Sequence, residues 1–269
     1  MLTFFTIPKP FKGYIDVIQR NAIASWKKID PSVEIILFGI EDGVAQIAKE
    51  FNIKHVPDIE SNEYGTPYVS DLFEKVQKIA QYDLICFVNC DILLFSNLLD
   101  AINRMNRTGK GFFFMGKKKN IDYNNNINIQ SNNEKEVMDY IKEFGSFPVG
   151  AGTGMDYLVF NKGLIKKMPK FLIGRPVWDN WVMWFAANSK YPFVDCTDIV
   201  TALHQNHTYH HVPNGRNGSW EGPEADYNRS LLVRSDQICT IKDATYVLTK
   251  RWFRPSIKGH YRKIFRHIL

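Results

Sequence analysis

Four stretches of this sequence carry side chains suited to chemistry. In F-V-N-C-D-I-L-L-F, Phe87–Phe95, Asn89 and Asp91 stand inside an apolar run. A carboxylate so placed loses hydration and needs a compensating partner. One partner is a hard divalent cation, Mg2+ or Mn2+, shared with a substrate diphosphate. The other is the start of the helix that follows, which Asp91 would cap. In G-A-G-T-G-M-D-Y, Gly150–Tyr157, three glycines in five residues let backbone approach a ligand closely. A strand follows them rather than a helix, which discounts a phosphate-cradling loop. What remains is a substrate-facing turn carrying Gly154 and Asp156, or a plain tight loop.

The third stretch is G-R-P-V-W-D-N-W, Gly174–Trp181. Asp179 falls in the first turn of a helix expected over Asn180–Ala187, where it would cap backbone N–H groups. Trp178, Trp181 and Trp184 surround it, and apolar rings raise a carboxylate's proton affinity, as a general base requires. Trp178, Asn180 and Trp181 would frame a sugar. Arg175 would meet a phosphate or form a salt bridge. The fourth stretch holds four of the seven histidines within His204–His211. An extended chain would put His204 and His207 on opposite faces. That argues against a His-His-carboxylate zinc site and leaves one of them to join Asp91 on a metal. His210 and His211 read as polar pairing in a loop.

The elements that must position these groups alternate. Strands are expected at Leu2–Ile7, Val33–Phe38, Ile53–Val56 and Asp83–Asn89, separated by helices at Tyr14–Lys28, Glu41–Phe51 and Ser70–Gln81. This order implies an α/β fold with a mostly parallel central sheet and helices on both faces. Ligands of such sheets gather at the carboxyl ends of the strands. Asn89 and Asp91, the Thr6–Pro10 segment and the residues beyond the third strand share that edge. A helix at Asn97–Asn106, a strand at Gly111–Met115 and a helix at Glu134–Phe144 follow. Between the last two, Lys117–Asn133 is polar and Asn-rich; its lysines could touch a phosphate, but the segment reads more readily as an exposed, solvated loop or insertion. Beyond it the second half shows no clear alternation.

The chain has 269 residues, 45% hydrophobic and 23% charged, which fits one large domain with a packed core. Residues 1–116 are expected to form a first half of nucleotide-binding type, 117–146 a variable loop and helix, and 147–249 a second half that would meet an acceptor. Residues 250–269 form a basic, aromatic tail. The four cysteines are few and irregularly spaced and read as small buried residues. No apolar run is long enough to cross a membrane, and a cytoplasmic protein is expected. The net charge is +6, and seven basic residues from Lys250 onward, with no acidic one, exceed that surplus. With Trp252, Phe253, Tyr261, Phe265 and Ile268 interleaved, the tail suits an anionic membrane surface, on the inner face of the cell membrane. It suits equally a helix docking its aromatics on the domain. A nucleic-acid partner is not expected.

Together these residues resemble the GT-A class of nucleotide-sugar glycosyltransferases. The likeness rests on T-I-P-K-P at Thr6–Pro10, N-C-D at Asn89–Asp91, W-D-N-W at Trp178–Trp181 and H-Q-N-H at His204–His207, over roughly the first 230 residues. N-C-D looks like a D-x-D metal motif with its first aspartate replaced. The resemblance implies a Rossmann-like GT-A fold with an irregular acceptor-side second half. It implies a UDP- or GDP-type sugar donor lying against Thr6, Pro8, Gly65, Thr66, Asp71, Asn89 and Asp91. It implies Mn2+ or Mg2+ on Asp91, with His204 or His207, and Asp179 as the base of an inverting transfer to a saccharide or glycolipid acceptor. Two other readings stay open: a metal-dependent phosphoesterase using Asp91, Asp195, Asp198 and the histidines, and a non-catalytic carbohydrate- or membrane-binding module.

Overall fold

The computed structural model describes residues 1–122, 133–150, 152–207, 220–234 and 236–266. The first half alternates as its apolar spacing predicts: β1 (Thr3–Thr6), α1 (Gly13–Ile29), β2 (Glu34–Phe38), α2 (Val44–Phe51), β3 (Lys54–Val56), α3 (Val69–Ile79) and β4 (Leu84–Val88). A short β5 (Ile92–Leu94), α4 (Asn97–Asn106), β6 (Phe113–Met115), β7 (Lys118–Ile121) and α5 (Glu134–Phe144) follow. The second half holds β8 (Tyr157–Asn161), α6 (Trp178–Asn188), β9 (Phe193–Asp195), β10 (Ala202–Gln205) and α7 (Pro223–Ser230). It closes with a 3-10 turn (Ile241–Asp243), β11 (Tyr246–Leu248), β12 (Phe253–Pro255) and α8 (Ile257–Arg266).

Nine strands form the central sheet in the order β12-β11-β9-β6-β8-β4-β1-β2-β3. Most neighbours run parallel, but β8 is antiparallel to both β4 and β6, and β12 is antiparallel to β11. Successive residues of a strand face opposite sides, and both sides are covered. Phe4 and Cys86 pack with Trp26 of α1, Ile47 of α2 and Met105 of α4. Phe5 and Phe87 pack with Phe73 of α3 and Met183 of α6. That is why β4 is apolar at every position and fully buried. All four cysteines are buried and free.

A second, three-stranded sheet, β5-β10-β7, sits on α5 through Leu93, Phe95, Ile121, Val137, Ile141 and Leu203. It corrects two expectations. Lys118–Ile121 is strand rather than exposed loop, because β10 supplies its ladder partner. The second half does carry regular elements; its strands have three to five residues, too short for a period to show. Residues 123–132 of the Asn-rich segment, and His210 and His211, lie outside the described residues.

Candidate active site at the carboxyl edge of the sheet

Asp91 follows β4 and begins the turn into β5. Its side chain is largely buried. His207 Nε2 lies 3.1 Å and His204 Nε2 3.7 Å from its Oδ2. Lys9 Nζ stands 3.9 Å from the same oxygen and 3.3 Å from His207 Nε2. Burial would push the Asp91 carboxyl up. The His207 hydrogen bond and the charges of His204 and Lys9 outweigh that and hold it well below the usual carboxylate range. Burial pushes His204 the other way and disfavours its protonated form.

The two histidines meet because the strand stops between them. His204 is in register with Ile92 across the β10–β5 ladder. The strand ends at Gln205, so alternation no longer governs His207, and the chain turns it back onto Asp91. Buried Gln205 fixes this turn: its Nε2 donates to Ile18 O, and Asn21 Nδ2 donates to its Oε1. Gln19, also on α1, clamps the Lys9 backbone by accepting from Lys9 N and donating to Lys9 O. The expectation that only one histidine reaches Asp91 is therefore corrected. Asp91, His204 and His207 place one ligand atom each within 4.8 Å of one another.

These residues fit a divalent cation. Among the described residues, Asp91 Oδ1 and His204 Nδ1 are buried polar atoms without a hydrogen-bond partner, a costly arrangement unless a ligand completes it. Two imidazole nitrogens and one carboxylate suit Mn2+ better than Mg2+, which prefers oxygen throughout.

Beside this cluster, Asp156 immediately precedes β8. Because β8 runs backwards, its start lies at the same edge as the end of β4, with Tyr157 opposite Val88. Asp156 Oδ1 receives Lys118 Nζ at 2.7 Å and Asn89 Nδ2 at 3.4 Å, and its backbone carbonyl accepts from Asn89 N. Asn89 thus ties the two carboxylate-bearing segments together.

Asp179 lies in the first turn of α6, which starts at Trp178, two residues earlier than expected. Its Oδ2 accepts from Met155 N at 3.1 Å and its Oδ1 from Asn180 N at 2.9 Å. Burial, reinforced by nearby Asp156, pushes its pKa up to about 6 against these hydrogen bonds. Val177, just before the helix, is held at φ 69°, a strained state for a β-branched residue. A Cβ added at Gly154 would stand 3.1 Å from Asp179 Oδ2, so the glycine leaves the carboxylate its room. Asn180 Nδ2 donates to Thr153 O and Cys239 O and pins the glycine loop to the following segment.

Other expected site residues have different employment. Trp178 and Trp181 are each only 6% exposed and pack on Phe87, Phe171 and Phe185. Their faces are covered by protein, which corrects their assignment as sugar platforms. Arg175 pairs through two nitrogens with Glu224 at 2.6 and 2.9 Å, so of its two expected roles it takes the salt bridge. Asp71 accepts Glu60 N and pairs with Lys75. Gly65, at φ 81°, and Thr66 belong to a turn that Asn62 Oδ1 holds through Tyr64 N and Thr66 N. Thr6 and Pro8 are buried where β1 ends. Lys9 and Lys118 join the site without being among its expected residues: Lys9 lies in the T-I-P-K-P motif, and Lys118 among the lysines of a segment whose strand has no pattern of its own to read. Asp195 accepts from Thr197. Among the described residues it joins no ligand cluster.

No family model matches the chain, and no curated protein matches it. Solved structures do. S. aureus TarS, residues 1–349 in complex with UDP-GlcNAc, matches at a TM-score of 0.50 and 14% identity, over 84% of this chain and 61% of that one. A longer S. aureus TarS structure matches at 0.50 and 16% identity, over 76% of this chain and 36% of that one. The chain thus spans less than two thirds of the length of either neighbour. The likeness is one of architecture: the chain has the GT-A-like fold of nucleotide-sugar glycosyltransferases.

Proposed function

We propose that the chain transfers a sugar from a nucleoside diphosphate sugar to a hydroxyl of a saccharide or glycolipid acceptor, in glycan or surface polysaccharide synthesis. The observation that carries this is a pairing across one short segment: the cation-ready Asp91–His204–His207 cluster on one side of Met155–Asp156 and Asp179, a buried carboxyl raised to about 6, on the other. Asp91, His204 and His207 would hold Mn2+, or less favourably Mg2+; bound there, the ion offsets charge on the departing diphosphate. Lys9 and Lys118 add fixed positive charge near the same position. The nucleotide would lie at the end of β1, where buried Thr6 and Pro8 support the backbone, and along the Gly65–Asp71 segment, whose Asp71 is already paired with Lys75. The UDP-GlcNAc of the TarS neighbour supports a UDP-type donor. Asp179 accepts the acceptor's hydroxyl proton as that oxygen attacks the anomeric carbon, which inverts the stereochemistry. A carboxyl near 6 is ionised at neutral pH yet basic enough for the task.

Thermal stability with UDP, GDP or a simple phosphate ester, each with and without Mn2+, tests the donor side. A ligand at about a hundred times its Kd adds roughly 2.7 kcal/mol. The expected result is a rise with one nucleotide that depends on Mn2+. An equal rise with the simple ester, or none with either nucleotide, would overturn the reading.

A further inference from the structure

We infer that α8 and the β11–β12 hairpin form a docking surface for an anionic lipid bilayer. A surface helix normally turns its apolar stripe toward the protein. This one is reversed. Among the described residues of α8 Gly259 is the buried one, and a Cβ added there would sit 1.9 Å from Ala244 O, so at this point the helix approaches the protein by its backbone, flanked by His260 against Tyr246 and Arg262 near Asp243. Ile257, Tyr261 and Ile264 recur at helical spacing on the opposite side, roughly 170° around from Gly259. They are 74%, 60% and 58% exposed. In the adjoining hairpin Trp252 is 67% exposed.

The charge around this stripe has one sign. Arg251, Arg254, Lys258 and Arg262 are solvent-exposed, and no Asp or Glu occurs after Asp243. Arg262 lies 3.9 Å from Asp243, which leaves Arg251, Arg254 and Lys258 as the exposed charges beside the stripe. Aromatic and aliphatic side chains between such basic groups match the layered chemistry of a lipid interface, apolar inside and anionic at the headgroups. A nucleic acid would use the charges but leave Ile257 and Ile264 in water. A second copy of the chain would bring like charges together. This inference is independent of the chemistry assigned to the sheet edge.

The test is co-sedimentation of the full chain with vesicles of phosphatidylcholine alone or mixed with phosphatidylglycerol. Binding is expected to the mixed vesicles, weakening with salt, and falling roughly fivefold for each of Arg254→Ala and Lys258→Ala. Ile264→Glu should abolish it, whereas Ile40→Glu, at a residue 82% exposed elsewhere, should not. Circular dichroism verifies that each variant is folded. Three results would overturn the inference: equal binding to both vesicle types, binding untouched by Ile264→Glu, or self-association through this face without vesicle binding. Displacement from vesicles by duplex DNA that Ile264→Glu still binds would reassign the surface to nucleic acid.

Discussion

Replacing Asp179 by asparagine separates two consequences of burying one carboxyl. The group ionises near 3.8 when exposed and near 6 in the folded chain. At about 1.4 kcal/mol per tenfold change, the folded state opposes its ionisation by on the order of 3 kcal/mol. The sign follows from linkage. Below 3.8 the carboxyl is neutral in both states and carries no penalty. Between 3.8 and about 6 the unfolded chain ionises first, so stability falls as pH rises. Above 6 the native state carries the whole cost of a buried charge. Asparagine does not titrate, but it replaces one of two acceptor oxygens with an NH2 group, a cost that is the same at every pH. The stability of Asp179→Asn relative to wild type should therefore rise by a few kcal/mol between pH 4 and pH 7, on top of that constant offset. A domain of this size shows roughly 2–4 °C per kcal/mol, so thermal melts across pH resolve the gap. In parallel, sugar transfer should be lost while the nucleotide-induced rise in Tm is kept. A gap that stays constant from pH 4 to 8 would refute the reasoning, since the carboxyl would then titrate as if in water. Retained turnover would remove it from the chemistry.

Three further expectations follow from the same geometry. His204→Ala and His207→Ala should each abolish the Mn2+-dependent part of the nucleotide melting shift and preserve the fold, because both residues stand at the cluster rather than in the core; isothermal titration with Mn2+ reads this directly. Gly154→Ala should lower kcat by an order of magnitude or more with little change in Tm, since its methyl would press on Asp179 Oδ2 at 3.1 Å. Trp181→Ala should cost about 3–5 kcal/mol of stability, read in urea melts, as expected of a core side chain; a normal melt with a raised acceptor KM would restore its role as a sugar platform.

The first half of the fold was legible because its helices and strands are long enough to show a period. Val69–Ile79 repeats its buried residues at helical spacing, and Leu84–Val88 is apolar throughout because helices cover both sides. The second half was not, because three-residue strands such as Phe193–Asp195 have no period to read. At the site, Asp91 and Asp179 announced themselves as carboxylates in apolar surroundings. Lys118 did not, because its strand exists only through pairing with β10, which lies some eighty residues further along. His204 and His207 were misjudged for a related reason: alternation predicts faces only while the strand lasts, and this one ends at Gln205. The tryptophans of α6 illustrate the converse error, since an aromatic beside a carboxylate is most often simply packed.

The reversed strand β8 bears on how the molecule assembles. Strands β1 to β4 close a parallel layer from residues 3–88, with most partners near in sequence. Strands β6, β8, β9 and β11 span residues 113–248 and join that layer through one antiparallel seam, β4 against β8. β4 is thereby paired on both sides, to β1 and to β8, whereas among the described residues β3 and β12 have one partner each. A ladder held on two sides opens only when a neighbour leaves first. In amide exchange, β4 should keep its protection to higher denaturant than the edge strands β3 and β12, so the seam between the two groups of strands is the last part of the sheet to open.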